Sequence, residues 1–144
     1  MSDTVSTQNT YTLDDQIGYL LRLASQRHAA IFQSHAIENL TPTQFTTLLR
    51  VHEHGSVSQN HLGRLAAMDV ATIKGVVDRL RGKGLTQSGA DPSDKRRTMI
   101  SLTDKGVALI DDLMRIGEAI SEDTLEILSV PERQTLIKLL RKIT

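Results

Sequence analysis

The sequence of 144 residues contains no cysteine, which excludes disulfides, thiolate metal sites, cysteine nucleophiles and thiol-based redox sensing. No apolar run approaches the roughly 20 residues that a membrane-spanning helix needs. Residues 1–10 form neither a basic stretch nor an apolar one, so no secretory signal is expected and a cytoplasmic location is predicted. The composition, with 39% hydrophobic and 24% charged residues, predicts one ordinary globular domain.

Enzyme motifs are also lacking. The sequence has no glycine-rich phosphate loop, no G-x-S-x-G and no H-E-x-x-H, so neither a catalytic site nor a cofactor is expected. Aromatic residues are few, and all four precede the middle of the chain: Tyr11, Tyr19, Phe32 and Phe45. This argues against stacking on single-stranded nucleic acid.

The zero net charge hides an uneven distribution along the chain. Residues 41–105 hold ten Lys and Arg against six Asp and Glu, a net charge of +4, whereas residues 1–40 and 106–144 each carry −2. A basic middle between acidic flanks is typical of a module that binds a polyanion, although an imbalance of this size also arises by chance.

Local signals predict a succession of helices. From Leu13 apolar residues recur in steps of three and four, which predicts a long amphipathic helix to about residues 33–35. The run Thr41–Gln44 combines a cap, a proline at the first helical position and a capping box, and Gly55 ends the second helix. Ser58 caps a short helix, and another follows over about 70–82.

A β-hairpin is predicted next, with strands at 85–88 and 98–102 joined by a turn-rich loop over 89–97. Two short helices and a basic hairpin make a winged helix-turn-helix. Thr103 caps a further long helix, and a second capping box at Ser129 begins the last one. The predicted fold is mainly α with a small β-hairpin wing, in which a winged helix-turn-helix is flanked by N- and C-terminal helices.

Six short motifs, in their order along the chain, resemble the MarR family of bacterial transcriptional regulators. The resemblance rests on Leu40–Phe45, Leu62–Ala66, Val76–Leu80, Lys83–Leu85, Asp91–Arg96 and Ser101–Gly106. It implies a homodimer that binds a pseudo-palindromic DNA duplex, with an effector pocket between the dimerisation helices and the DNA-binding lobe. The implied parts are a tail and dimerisation helix at 1–40, a winged helix-turn-helix lobe at 41–105 and dimerisation helices at 106–144.

Two departures from the family pattern limit what is carried over. Lys74-Gly75 stands where many members have Thr-Arg, and Ser88 stands where many have Arg. The base preference of the family and some of its phosphate contacts are therefore not assigned to this chain.

The helix over 70–82 is the candidate recognition helix, and small residues at its start suit deep entry into the major groove. Its predicted DNA contacts are Ala71, Thr72, Lys74, Gly75 and Arg79. Gly75 either lets the backbone approach DNA closely or is a tolerated substitution that costs about 1 kcal/mol of helix stability.

Further DNA contacts are predicted around the recognition helix. Ser58, Gln59 and Asn60 begin the preceding helix, where free amides favour phosphate. In the hairpin, Lys95, Arg96 and Arg97 are predicted to contact DNA, and the resemblance places Arg96 in the minor groove. Asp94 is predicted to pair with an arginine and hold the wing in its orientation. The alternative is a solvated charged turn.

Three histidines fall on otherwise apolar stripes: His28 and His35 in the first helix and His52 in the second. The predicted ligand-binding residues are Arg22, His28 and His52, and the ligand is a small anionic, aromatic effector. Alternatively the rings are satisfied core residues, or they bind zinc. His52 and His54 have the wrong spacing for a helical metal pair, and no metal site is assigned.

The first and last helices carry the predicted dimer contacts, because the last helix is too apolar for a free surface. These residues are Ile17, Leu20, Leu21, Leu136, Leu140 and Ile143. The sequence thus predicts a ligand-responsive homodimeric repressor of double-stranded DNA. The alternatives are a winged-helix module for protein–protein assembly and a metal-sensing regulator.

Overall fold

The computed structural model describes residues 10–144, which form six α-helices and a three-stranded antiparallel sheet. A 3₁₀ turn at Leu13–Asp15 precedes the first helix. The helices are α1 Ile17–Ser34, α2 Pro42–His54, α3 Gln59–Leu65, α4 Val70–Gly82, α5 Asp104–Leu125 and α6 Val130–Ile143, and the strands are β1 Ser56–Ser58, β2 Thr86–Asp91 and β3 Asp94–Leu102. Within the described residues, no helix is both long and apolar enough to cross a membrane.

The helix ends follow the predicted caps. Thr41 and Gln44 form a complete capping box at α2, and Ser129 and Glu132 form another at α6. Gly55 ends α2 with a φ of 73°, a left-handed conformation that glycine adopts without strain. Because each cap is a contact over three or four residues, the sequence locates it directly.

The sheet contains one strand more than predicted. β1 pairs with β3 in antiparallel register, with Val57 opposite Ile100, and β2 lies on the other side of β3. A strand of three residues is too short to show an alternation of its own. Its partner comes about 40 residues later in the chain, so only the folded chain reveals it.

The predicted long loop over 89–97 is wrong. β2 continues to Asp91 and β3 begins at Asp94, which leaves a turn of Pro92 and Ser93. The turn is stabilised by the Asp91 carboxylate, which accepts hydrogen bonds from the Ser93 amide at 2.9 Å and its hydroxyl at 2.7 Å. The run 95–97 consequently lies on a strand, on the return side of the hairpin.

The core has two connected clusters. One lies where α2, α4 and α5 meet, around the fully buried side chains of Leu48, Leu80 and Leu113. The other joins α2, α3 and α4 to the sheet, around Leu62 and Ile100. Both clusters include residues of α4, so the core fixes the position of that helix and leaves its opposite face free.

The outer helices leave apolar side chains uncovered in the single chain. Ile17 of α1 is 63% exposed and Ile143 of α6 is 66% exposed. Leu20, Leu21 and Leu136 are exposed as well, Leu140 is half-buried, and α6 contains no buried residue. Side chains of this kind on two helices match the expectation of a dimer interface.

Candidate nucleic-acid interface

A tight turn joins α3 to α4. Ala67 adopts a φ of 55°, and the Met68 amide donates to the Gly63 carbonyl at 2.8 Å. Gly63 suits this close packing, because a Cβ atom would stand 3.1 Å from the Met68 carbonyl oxygen and 3.2 Å from Ile73 Cγ2, and these neighbours would have to move by a few tenths of an ångström. The turn therefore brings the two helices close together and sets the angle between them.

The start of α4 is capped by Asp69, whose carboxylate accepts a hydrogen bond from the Thr72 amide at 2.7 Å. Hydrogen bonds from Thr72 lower the pKa of Asp69. The largest contribution is the side-chain hydrogen bond with Thr72, and the next is the hydrogen bond from its backbone. The carboxylate therefore stays ionised at neutral pH, where it stabilises the amino end of the helix.

The inward and outward faces of α4 are those predicted. Ile73, Val76, Val77 and Leu80 are buried. Ala71, Thr72, Lys74 and Arg79 are exposed, and Gly75 is half-buried. A Cβ at Gly75 would lie 3.4 Å from Arg79 Nη1, an ordinary contact with a flexible side chain. The fold thus tolerates a side chain at this position, and any requirement for glycine must come from outside the chain.

An ion network crosses the exposed face of α4. Lys74 Nζ and Arg81 Nη2 both donate to the Asp78 carboxylate at 2.9 Å. The hydrogen bond from Lys74 is the largest cause of the lowered pKa of Asp78. Arg81 also reaches Ser88 Oγ at 3.3 Å, which ties the end of the helix to β2. The Lys74 side chain is thereby held over the outer face.

Asp94 organises the basic residues of the wing. It accepts hydrogen bonds from the Arg96 amide at 3.0 Å and from Arg96 Nε at 3.3 Å, and Arg97 Nε lies 3.7 Å away. The predicted pairing of Asp94 with an arginine is therefore present. The Arg96 side chain is 92% exposed, so it projects from the hairpin, and Lys95 is exposed beside it.

A polar cleft lies between α3 and β3. Its volume is about 400 Å³, and Ser58, Gln59, Arg96 and Arg97 are among its lining residues. Ser58 is half-buried and caps α3 by accepting a hydrogen bond from the His61 amide at 3.2 Å. The structure thus brings the predicted contacts at the start of α3 together with those of the wing.

Sequence reasoning missed three further residues of this cleft: His61 and Arg64 of α3 and Thr98 of β3. The polar spacing of the first two along a short helix was a weak signal. Only the packing of α3 beside β3, more than 30 residues away, assigns them to the cleft with the wing arginines.

The predicted ligand residues Arg22, His28 and His52 have different surroundings in the single chain. Arg22 lies over the Tyr19 ring at 5.6 Å, and His28 Nδ1 is 2.9 Å from Thr124 Oγ1 of α5. The prediction that His52 points inward is wrong, because this residue is exposed and the neighbouring Val51 is buried. His35 is paired with Asp123 at 2.5 Å. His28 and His35 therefore have partners within the chain.

A more apolar groove lies between α2, α5 and α6, with a volume of about 770 Å³. Phe45, Leu49 and Ile137 contribute to its walls, and Arg133 is its cationic side chain. Arg133 Nη1 donates a hydrogen bond to Glu122 Oε1 at 2.7 Å. Among residues 10–144, no three His, Asp or Glu side chains form a group that could hold a metal ion.

An exposed helix that follows a tight turn, flanked by a basic hairpin, defines the winged helix-turn-helix class of DNA-binding proteins. Residues 40–98 match the family model described as MarR family. The HTH-type transcriptional repressor NicR of Pseudomonas putida is 42% identical over 134 residues, which cover 92% of this chain and 85% of NicR. The chain belongs to the MarR family, whose members are transcriptional regulators and not enzymes.

Solved structures agree with this assignment. A probable transcriptional regulator from Pseudomonas aeruginosa superposes with a TM-score of 0.89 at 47% identity, over 92% of this chain and all of the other. BpsR of Bordetella bronchiseptica, solved to explain how 6-hydroxynicotinic acid regulates its DNA binding, gives a TM-score of 0.88 at 36% identity, over 93% of this chain and 96% of BpsR. The family and fold predicted from the sequence are therefore confirmed.

Proposed function

We propose that this chain is a homodimeric repressor that binds a pseudo-palindromic operator and leaves it when a small anionic aromatic acid binds. One observation carries the DNA-binding part: the core holds α4 with Ala71, Thr72, Lys74 and Arg79 exposed, beside a wing whose Arg96 side chain projects into solvent. A helix and a hairpin in this arrangement suit the major and minor grooves respectively. A repressor of a chromosomal operator acts in the cytoplasm.

The homodimer is proposed from the uncovered apolar residues of α1 and α6. Two copies that share a two-fold axis cover these residues and present two α4 helices. Successive major grooves on one side of a duplex are about 34 Å apart. The dimer therefore binds two half-sites together, and its shape controls their spacing.

The effector is proposed from the groove and from two relatives. NicR is named a repressor, and BpsR is regulated by an aromatic acid. In this chain the groove between α2, α5 and α6 has apolar walls for a ring, and a ligand carboxylate could replace Glu122 as the partner of Arg133. Arg22, His28 and His52 form the second candidate site, outside this groove.

Release of DNA requires that the ligand prefers a dimer shape that fits the operator poorly. By linkage, DNA must weaken ligand binding by the same factor. A coupling free energy of about 1–3 kcal/mol between the effector site and the DNA site changes the DNA affinity by about 5–150-fold.

The experiment follows the fluorescence anisotropy of a labelled duplex that has been selected from a random library with the full chain. We expect nicotinic acid or 6-hydroxynicotinic acid to release the duplex, and the neutral nicotinamide to do so at least about tenfold less effectively, because it lacks the charge. Equal effects of acid and amide would contradict an anionic effector. A panel of aromatic acids without effect would contradict effector release.

Calorimetry on variants distinguishes the two candidate sites. Ser121→Phe places a ring in the groove at an exposed position and is expected to weaken acid binding by about tenfold or more, since one overfilled contact costs about 1–3 kcal/mol. His28→Ala and His52→Ala are the matched tests of the other site. Loss of binding in these two, with Ser121→Phe unchanged, would assign the effector to the histidines.

A further inference from the structure

The cleft between α3 and β3 combines fixed cations with a titratable side chain. Three arginines line it, Arg64 from α3 and Arg96 and Arg97 from β3, and His61 stands among them. In a helix-turn-helix the first helix crosses the DNA backbone, and the wing reaches the next groove. A backbone that runs from α4 to the wing therefore passes this cleft.

His61 has a second imidazole beside it. The rings of His54 and His61 meet edge to face, with centroids 5.6 Å apart and planes at 77°. His54 Nδ1 lies 3.1 Å from the Arg50 carbonyl oxygen, so this nitrogen carries the proton and donates. The contact holds the His54 ring against His61.

The charged groups around the pair come from three elements. Arg50 on α2 is paired with Glu53 at 2.9 Å, and Arg64 lies on α3. On β3 both arginines share the single carboxylate of Asp94. The cleft thus has more positive than negative charge before DNA arrives, and an incoming phosphate supplies the missing anion.

We propose that this cleft binds one backbone phosphate of duplex DNA and that His61 takes up a proton as it does so. The inference rests on the proposed DNA-binding function. A phosphate oxygen beside an imidazole favours the imidazolium form and accepts a charge-assisted hydrogen bond from it. Among the side chain types in the cleft, only histidine normally changes its charge between about pH 5 and 8. DNA affinity therefore rises as the pH falls.

The stoichiometry follows from the number of clefts. Each chain has one His61 in one cleft, so the proposed uptake is one proton per chain and two per dimer. The contact is with a phosphate, so the pH dependence is the same for any duplex sequence.

The test measures dissociation constants by fluorescence anisotropy at fixed salt from about pH 8 to about pH 6. Two 30-bp duplexes are used, one selected from a random library with the full chain and one of arbitrary sequence. We expect both affinities to rise over this range by up to about tenfold for each cleft, and therefore by up to about a hundredfold for a dimer with two clefts.

Two variants of the same residue provide matched controls. His61→Gln keeps a hydrogen-bond donor without a titratable charge, and its affinity is expected to stay at the high-pH value at every pH. His61→Lys supplies a permanent cation and is expected to bind at pH 8 about as tightly as the unmodified chain does at pH 6. The melting temperature of each variant checks folding, which an exposed side chain changes little.

A pH-independent affinity of the unmodified chain would overturn this inference, and so would a pH dependence that persists in His61→Gln. Either result leaves the proposed function standing, because the duplexes are still bound. Binding to neither duplex at any pH would overturn the proposed function and this inference with it.

Discussion

Replacing Gly106 by alanine is expected to destabilise the chain by about 3 kcal/mol, near the upper end for an overpacked position. Gly106 lies in the first turn of α5, and a Cβ there would stand 2.2 Å from the Leu85 carbonyl oxygen. That oxygen also accepts a hydrogen bond from the Thr103 amide at 3.1 Å. Because the obstacle is backbone and not a flexible side chain, α5 must move away from the segment that follows α4.

The measurement is urea denaturation at a fixed protein concentration, since dimerisation links stability to concentration. Gly82→Ala is the matched control, because a Cβ at Gly82 meets nothing within 4 Å. It is expected to leave stability unchanged or to raise it by up to about 1 kcal/mol. Equal midpoints for the two variants would show that the close approach at Gly106 is not a constraint.

Arg96→Ala is expected to weaken binding of the selected duplex by about 1–3 kcal/mol, or about 5–150-fold. The Arg96 side chain is almost fully exposed, and it pairs with Asp94 of the same hairpin. Removing it takes a cation from the part of the wing that is proposed to face DNA. Folding stability is expected to change by no more than about 0.5 kcal/mol.

Arg115→Ala serves as the control for loss of one exposed arginine. Arg115 lies on α5, outside the sequence of α4 and the wing, and pairs with Asp112 in the same helix. Its substitution is expected to leave duplex affinity within about threefold, since only the long-range field changes. If both arginine variants bind equally well, Arg96 does not belong to the interface.

The helices were predictable because their ends are set by local chemistry. The capping boxes at Thr41 and Ser129, and the glycine at Gly55, each act within one turn. The wing turn was missed for a related reason: proline and several polar residues favoured a long loop, whereas the two hydrogen bonds to Asp91 close the turn within two residues.

The error at His52 has a different origin. The apolar stripe of α2 suggested that Phe45, Leu48, Leu49 and His52 face the core. Leu48 is buried as predicted, but Phe45 and Leu49 are half-buried and the other buried positions are Gln44, Thr47 and Val51. Gln44 is satisfied by the capping box, and Thr47 Oγ1 donates to the Thr43 carbonyl at 2.7 Å. Polar side chains with local partners can be buried. A prediction from hydropathy alone therefore assigned the buried face of α2 partly to the wrong side of the helix.

The candidate site was predictable where it lies on one element and not where it joins two. The exposed face of α4 follows from helical periodicity once its buried stripe is known. The cleft that contains His61 and Arg64 depends on α3 packing beside β3, and no local pattern reports that contact. The groove between α2, α5 and α6 likewise forms only when three separate helices meet.

The most direct test of the account is the salt dependence of duplex binding. If Lys74 on α4 and the arginines of the wing and cleft contact DNA phosphates, the logarithm of the association constant must fall linearly with the logarithm of the salt concentration. The slope is expected to be about −0.9 for each phosphate neutralised. Tight binding of the selected duplex at low salt, lost steeply as salt rises, is the predicted result. Absence of binding at low salt, or an affinity that salt does not change, would contradict the account.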